Sequence, residues 1–338
     1  MAILVTGGLG YIGSHTCVEL LNRGYEIVIL DNLHNSNPEV LNRIERITGK
    51  KPRFYNLDIC VEEKLSEVFD THPIESVIHF AAVKAIGESL EKPELYYSNN
   101  LNSTITLCRV MKAHGVSKLV FSSSAVVYSR NNSMPVDENA AVGYCTNPYG
   151  WTKYMCEQII RDSAAANPEW SVVLLRYFNP VGAHESGLIG ESPNGVPSNL
   201  MPYITQTAVG KRPQLQIFGG DYDTPDGTGV RDFVHVVDLA SAHVAALKWT
   251  DTHPGTETFN VGTGTGYSVL QVVETFAKTN QVDVPYSIVG RRLGDLATCY
   301  ADPRKSEKLL GWKAQKTLEE MCRDAWNWQR QNPNGYEG

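Results

Sequence analysis

The chain has 338 residues, of which 42% are hydrophobic and 20% are charged. This composition is typical of a globular protein with two closely joined units, and it excludes a disordered or fibrous chain. Lysine and arginine number 30 and aspartate and glutamate 37, and the resulting net charge of −7 argues against a surface for nucleic acid or an anionic membrane.

The start of the chain and its cysteines bear on the compartment. Residues 1–6 have neither a basic head nor an apolar run long enough for a signal peptide, and no stretch approaches the ~20 apolar residues of a membrane span. The 7 cysteines are an odd number and form no CxxC pair, which favours a reducing compartment over a disulfide framework or a zinc site. We therefore expect a cytoplasmic protein with no metal and no membrane partner.

Short apolar strands alternate with helical stretches in the first half of the chain. The predicted strands span residues 2–6, 26–30, 53–56, 76–80, 118–122 and 171–177. The predicted helices lie near 10–23, 60–70, 94–114 and 149–166. Six parallel strands joined by right-handed crossovers predict a doubly wound parallel sheet, the Rossmann-type α/β fold.

This rhythm breaks after Asn179-Pro180. The segment 182–202 is rich in Gly, Pro, Ser and Asn and is predicted to be loop. Beyond it the sequence predicts strands at 232–236 and 258–261 and helices near 239–249, 269–279 and 318–331. We interpret these pieces as a smaller C-terminal α/β lobe packed against the first unit, and we expect its strands to return to the edge of the main sheet. The boundary is placed at 178/179, with a return of the chain to the first unit near 230–240.

A glycine-rich turn follows the first strand and opens the first helix, with the spacing Gly7-x-x-Gly10-x-x-Gly13. Glycines in this context let a backbone approach a pyrophosphate at a helix N-terminus, although a tight turn alone could also require them. Asp31 ends the second strand, where a carboxylate accepts hydrogen bonds from an adenosine ribose and repels a 2′-phosphate. Residues 32–34 supply no arginine or lysine for such a phosphate. The sequence therefore predicts NAD rather than NADP.

Tyr149 and Lys153 are four residues apart on a predicted helix and share one face. A nearby cation favours phenolate and lowers a tyrosine pKa, which would make Tyr149 a usable general base. The fifth strand ends in three serines, and Ser124 could bind a substrate hydroxyl beside the phenol. Alone, the Tyr-x-x-x-Lys spacing is common on surface helices; together with the dinucleotide turn it predicts a catalytic site.

Several longer stretches resemble the extended short-chain dehydrogenase/reductase family. They read HFAAVKAIGES at 79–89, RYFNPVGAH at 176–184, NLMPY at 199–203 and DGTGVRD at 226–232. The resemblance covers nearly the whole chain. It implies an NAD-binding Rossmann domain at 1–178 and a nucleotide-sugar-binding domain at 179–338. It also implies a homodimer formed through the helices near 94–114 and 149–166.

The resemblance further implies the reaction, which is inversion at C4 of a UDP-sugar through a transient 4-keto intermediate, with the hydride stored on tightly bound NAD. The activity would serve galactose metabolism and UDP-sugar supply. The cofactor contacts expected from the glycine turn, Asp31 and the resemblance are Gly7, Gly10, Tyr11, Ile12, Gly13, Asp31, Asn32, Asn35, Ser36, Asp58, Ile59, Phe80, Ala81, Ala82, Lys84, Asn99, Ser122, Tyr149, Lys153, Tyr177 and Phe178. The expected substrate contacts are Lys84, Ser124, Ala125, Tyr149, Phe178, Asn179, Asn199, Leu200, Gln216, Ile217, Phe218, Arg231, Val269, Arg292, Asp295 and Cys299. Asp58 could equally cap a turn.

Cys299 bears on substrate breadth. Members of the family restricted to UDP-glucose and UDP-galactose commonly carry tyrosine at this position, and a thiol would leave room for an N-acetyl group. The resemblance therefore implies activity on UDP-GlcNAc and UDP-GalNAc as well, unless Cys299 is only a small buried side chain.

Two other functions remain as alternatives. A nucleotide-sugar 4,6-dehydratase needs an additional acid and base, which its family places directly after the serine position, where this chain has Ala125-Val126. A non-catalytic NAD-binding regulator would tend to lose the tyrosine or the lysine, and this chain has both.

Overall fold

The computed structural model describes residues 1–292 and 294–337. Its strands are β1 (Ala2–Thr6), β2 (Glu26–Asp31), β3 (Arg53–Asn56), β4 (Ile74–His79), β5 (Lys118–Ser124), β6 (Ser171–Tyr177), β7 (Asn179–Val181), β8 (Leu215–Phe218), β9 (Val230–His235), β10 (Gly255–Val261), β11 (Gly266–Ser268), β12 (Tyr286–Val289) and β13 (Thr298–Cys299). Its helices are α1 (Tyr11–Asn22), α2 (Glu39–Thr48), α3 (Glu62–Thr71), α4 (Ile86–Glu91), α5 (Pro93–Ala113), α6 (Pro148–Ala165), α7 (Leu200–Ala208), α8 (Val236–Thr250), α9 (Val269–Asn280) and α10 (Leu318–Gln331). Within this part of the chain, no helix has both the length and the apolar character needed to cross a membrane.

Seven strands form one parallel sheet in the order β10-β6-β5-β4-β1-β2-β3. Apolar clusters cover both of its faces, so that every residue of β1 and β6 is buried. The strand order reverses at β1, which lies between β2 and β4. In open parallel sheets the ligand-binding crevice lies beyond the carboxyl ends of the strands at such a point, which here are those of β1 and β4. A hydrogen bond of 2.7 Å between Thr6 Oγ1 and His79 Nδ1 joins these two strand ends. The predicted doubly wound fold is confirmed.

β10 is the strand that the sequence placed in the smaller lobe as 258–261. It pairs in parallel with β6 at the edge of the main sheet, with Val261 opposite Tyr177. The chain thus returns to the main sheet and adds a seventh strand to the six predicted. The limits of β1, β3, β6 and α10 are those that the sequence predicted.

The remaining strands build two small sheets beside the main one. β9 lies between β11 and β13 and also pairs with β7, while β12 pairs with β8. Ile204 of α7, Phe276 of α9 and Met321 of α10 share one apolar core with Phe233 of β9. These elements form the smaller α/β lobe.

α2 and α7 were not predicted. α7 begins at Leu200, inside the segment that was predicted to be loop. Pro202 lies in its first turn, where the missing N–H would have no helical partner in any case. α2 buries only Val40 and Ile44. The polar residues of α2 and the proline in α7 obscured the helical pattern of these two segments.

Candidate active site

The glycine turn lies at the mouth of the crevice, where β1 leads into α1. Gly7 has a φ of +67°, and a Cβ there would lie 2.8 Å from the Ala81 nitrogen. A Cβ on Gly13 would lie 2.3 Å from the Gly7 oxygen, so neither position accepts a side chain without backbone movement. A Cβ on Gly10 would fill open space apart from the Gly7 oxygen at 3.3 Å.

The N-terminus of α1 fits a pyrophosphate. Among the described residues, no side chain caps this helix and its first turn carries no acidic group. Its first N–H groups therefore remain available to an anion, and the helix dipole favours negative charge there. The open rim at Gly10 gives the anion room to approach.

Asp31 is buried at the end of β2 and shapes the turn. Its Oδ2 accepts a hydrogen bond from the Leu9 nitrogen (3.0 Å), and its Oδ1 accepts from the Leu33 nitrogen (2.9 Å) and the Ser36 hydroxyl (2.7 Å). A carboxylate has about four acceptor positions, so one remains for a ribose hydroxyl. The sequence predicted only the ligand contact; the structure adds that Asp31 holds the surrounding loops.

The other expected cofactor residues differ in exposure. Asp58 is exposed and its Oδ1 accepts from the Cys60 nitrogen (2.9 Å), which is the turn-capping role left open by the sequence. The Ile59 side chain is buried in the core, which leaves only its main chain for a ligand. Asn32, Asn35 and Lys84 are exposed, whereas Tyr11, Ile12, Ser36, Phe80, Ala81, Ala82 and Asn99 are half-buried, and Ser122, Tyr177 and Phe178 are buried.

The structure brings Ser124, Tyr149 and Lys153 together. Pro148 is the first residue of α6 and the Asn147 side chain caps it, accepting from the Gly150 nitrogen at 2.8 Å. This start places the phenol of Tyr149 beside Ser124 at the end of β5. One turn later, Lys153 Nζ donates to the Ser122 carbonyl oxygen at 2.6 Å.

Burial dominates the electrostatics of this group. Burial raises the pKa of Tyr149 to about 12, although Ser124 opposes the rise. Burial lowers the pKa of Lys153 to about 8. That Lys153 brings the phenol toward neutrality therefore stays a prediction. Desolvation outweighs the charge, and the ammonium makes its short hydrogen bond with Ser122.

Many of the expected substrate residues are bonded to neighbours of their own. Arg231 on β9 donates from Nη1 to the Val230 carbonyl oxygen (2.8 Å). The guanidinium of Arg292 forms two bonds to the Asp295 carboxylate (3.0 and 3.1 Å), so the two expected contacts pair with each other. Asn199 Nδ2 donates to Glu191 Oε1 at 2.5 Å. Each of these groups keeps further N–H donors that a ligand could use.

The remaining expected substrate residues differ in how exposed their side chains are. Ile217 packs in the core of the smaller lobe, which leaves only its main chain for the expected contact. Asn179, Gln216 and Phe218 are exposed, and Leu200 and Val269 are half-buried.

Cys299 lies on β13, paired with Arg231 of β9. It and Ala125 both pack against one small apolar cluster that contains Phe178. Ala125 directly follows Ser124, so this shared cluster brings Cys299 near the predicted catalytic serine. Burial raises the pKa of its thiol.

Asn100 is a residue that the sequence analysis missed. Its buried side-chain oxygen accepts from the Val83 nitrogen (2.9 Å), and its Nδ2 donates to the Val83 carbonyl oxygen (3.0 Å) and to Thr152 Oγ1 (3.0 Å). It therefore ties the loop after β4 to α6 beside Lys153. The tandem Asn99-Asn100 was a signal, but only the first of the pair was selected.

Within residues 1–292 and 294–337, no group of three or more His, Cys, Asp or Glu side chains is placed to hold a metal ion.

A model of the NAD dependent epimerase/dehydratase family matches residues 3–262. The chain belongs to this family. The match spans the main sheet and the glycine turn, Asp31, Ser124, Tyr149 and Lys153 described above.

Relatives within the family match the whole chain. It is 59% identical over 337 residues to a UDP-glucose 4-epimerase from Bacillus subtilis (strain 168), covering 100% of this chain and 99% of that protein. A solved structure of the UDP-glucose 4-epimerase from Bifidobacterium longum in complex with NAD+ and UDP superposes with a TM-score of 0.96 at 52% identity, covering 99% of this chain and 100% of that one. The enzyme of Stenotrophomonas maltophila, solved with NAD and formylated UDP-arabinopyranose, also gives 0.96, at 50% identity over 98% of this chain and 99% of that one.

Proposed function

We propose that the chain is an NAD-dependent UDP-glucose 4-epimerase, an isomerase of UDP-sugars. The observation that carries the proposal is the position of Ser124, Tyr149 and Lys153 at the same edge of the parallel sheet as the glycine turn. Relatives that bear this name match the chain from end to end. In this proposal residues 1–178 bind NAD and residues 179–338 bind the nucleotide sugar.

The chain's own groups would move one proton and orient one hydroxyl. NAD held at the glycine turn supplies a hydride acceptor that also returns the hydride. Tyr149 accepts the proton of the sugar's 4-hydroxyl and later gives it back, and Ser124 holds that hydroxyl through its hydrogen bond. Lys153 contributes positive charge where the phenol loses its proton. Because hydride and proton both return, the reaction has no net redox change.

Inversion requires that the 4-keto sugar present its opposite face before the hydride returns. The nucleotide would stay anchored to the smaller lobe during this turn. Arg231 and Arg292 suit that role because a guanidinium can bind two oxygens of a diphosphate.

One assay separates this function from its alternatives. The purified chain is mixed with UDP-galactose or UDP-glucose without added NAD, and the sugars are followed by NMR. We expect interconversion of the two. A 4-keto-6-deoxy product would indicate the dehydratase, although Ala125 and Val126 lack the carboxylates for it. NAD binding without turnover would indicate a regulator.

The substrate range is proposed to include the N-acetylated UDP-sugars, because Cys299 leaves the wall beside Ala125 and Phe178 less filled than tyrosine would. Cys299→Tyr should reduce turnover of UDP-GlcNAc by about 10- to 200-fold, which is the discrimination expected from pocket size alone, and should leave turnover of UDP-glucose unchanged. Cys299→Ala, the control, should keep both activities. Equal loss of both reactions in the tyrosine variant would contradict the argument, as would a wild type inactive on UDP-GlcNAc.

The quaternary structure and the compartment complete the proposal. We propose a homodimer through α5 and α6, which pack side by side on one face of the sheet and expose apolar Leu95. Light scattering should give twice the chain mass, and Leu95→Glu should lower it. A cytoplasmic location accords with the seven cysteines, all of which are free thiols.

A further inference from the structure

Three elements of the proposed active site meet at one buried carboxylate, that of Glu157 on α6. The Ser123 hydroxyl of β5 donates to Glu157 Oε1 at 2.5 Å. From β6, Arg176 donates through Nε to Oε1 (2.9 Å) and through Nη2 to Oε2 (2.7 Å). The side chains of Glu157 and Arg176 are only 3% and 4% exposed. We call these three residues the Glu157 cluster.

Each member of the Glu157 cluster is adjacent to a group of the proposed chemistry. Glu157 lies one helical turn after Lys153, and Arg176 directly precedes Tyr177. Ser123 stands between Ser122, whose carbonyl oxygen accepts from Lys153, and Ser124, which lies beside the phenol of Tyr149. Because successive side chains of a strand point to opposite faces, binding Ser123 to α6 sets the position of the residues on either side.

Stability alone is a weak reason for the Glu157 cluster. A buried ion pair loses hydration on both partners, and apolar residues of similar volume often replace such pairs without loss of stability. An apolar contact, however, has no preferred direction. Three charge-assisted hydrogen bonds of fixed direction hold α6 in one position against β5 and β6.

We propose that the Glu157 cluster is a positioning device for the proposed epimerase. It sets Ser124 against Tyr149, sets the Ser122 carbonyl under Lys153, and places a negative charge one turn from the ammonium. The inference rests on the proposed function, because it assigns the cluster to the alignment of that function's proton-transferring group. Glu157 acts through these residues and need not touch a substrate.

The charges around Lys153 and Glu157 determine how this device responds to pH. Lys153 is faced by Cys156 and Glu157 from its own helix and by His79 from the end of β4. Glu157 is faced by Arg176 from β6, by Arg161 from α6 at 3.8 Å, and by Cys145, Cys156 and Tyr128. Removing the Glu157 charge takes away a negative neighbour of Lys153, which lowers the pKa of the ammonium.

The first test is Glu157→Gln, which keeps the shape and removes the charge. We expect kcat on UDP-galactose to fall about 10- to 100-fold, because misplacement by about 1 Å costs up to 10²-fold, with KM changed less than about twofold. The alkaline limb of the kcat profile should move to lower pH. Arg161→Met is the matched control: this arginine also contacts Glu157 but is 37% exposed, and its loss should leave kcat and the pH profile unchanged.

The second test separates positioning from stability. The apolar triple variant Ser123→Ala/Glu157→Leu/Arg176→Met should unfold at a temperature no lower than that of Glu157→Gln, yet its kcat should remain at least about tenfold below wild type. A triple variant with wild-type kcat, or unchanged kcat in Glu157→Gln, would overturn the inference while the wild type still turns over UDP-galactose. A wild type without turnover would overturn the proposed function and this inference with it.

Discussion

Asp31 and Lys153, on the cofactor side of the crevice, are buried and bonded largely to main-chain groups. Arg292 and Asp295, on the predicted substrate side, are less buried and bonded to each other. The first pair is held in place by the core of the sheet. The second pair is held mainly by its own ion pair. If the proposed function holds, the groups of the chemistry are fixed by the core, whereas recognition is left to side chains that can change partners.

The largest effect on activity is expected at Tyr149, on the cofactor side. Tyr149→Phe should leave the fold intact, because only a hydroxyl is removed, and should lower kcat by at least the ~10²–10⁴-fold that general base catalysis supplies. The NMR assay with UDP-galactose measures this. Tyr154→Phe on the same helix serves as the control and should retain activity. Retained activity in Tyr149→Phe would contradict the assignment of the base.

Asp31 tests whether the cofactor side is organised by the fold. Asp31→Ala removes three hydrogen bonds to a buried carboxylate and should lower the free energy of unfolding by about 3 kcal/mol, with loss of copurified NAD. Denaturant unfolding and nucleotide release measure the two effects. Asp58→Ala, which removes one exposed turn contact, should cost below about 1 kcal/mol. An equal loss of unfolding free energy in the two variants would show that Asp31 does not organise the cofactor side.

Lys153 gives a pH-dependent test of the same side. Because burial lowers its pKa from 10.5 to about 8, the unfolded chain holds more protons between these values, and wild-type stability from this group rises with pH there. Below pH 8 the buried charge costs about 3 kcal/mol, of which Lys153→Met recovers about 2 after loss of the Ser122 bond.

Lys153→Met should therefore be the more stable protein at pH 7, although inactive, and its advantage should shrink as the pH rises from 8 to 10.5. Denaturant unfolding of both proteins at several pH values measures this difference. A constant difference across that window would show that Lys153 is not desolvated.

Arg292 tests the substrate side and has the smallest effect on stability. Arg292→Met should change the free energy of unfolding by less than about 1 kcal/mol, because an exposed ion pair is worth little, while raising KM for UDP-glucose at least about tenfold. Arg291→Met is the matched control, since this exposed neighbour pairs instead with Asp221. A KM that rises equally in both variants would indicate a general charge effect rather than a contact.

The sequence by itself determined the doubly wound fold and the predicted catalytic group. The limits of β1, β3 and β6 followed from apolar runs bounded by turns, and the spacing of Tyr149 and Lys153 followed from the period of a helix. These features depend on residues close together in the chain, so a local pattern suffices to predict them. The glycine turn and Asp31 were predicted for the same reason.

Only the tertiary structure decided how these groups behave. The bonds of Asp31 to Leu9 and Leu33 and the pairing of Arg292 with Asp295 depend on contacts that the spacing of residues does not encode. The pKa of Tyr149 rises because burial removes water from the phenol, and burial is a property of the packed molecule. For the same reason the Glu157 cluster, which joins three elements at one carboxylate, could not be read from the chain before it was folded.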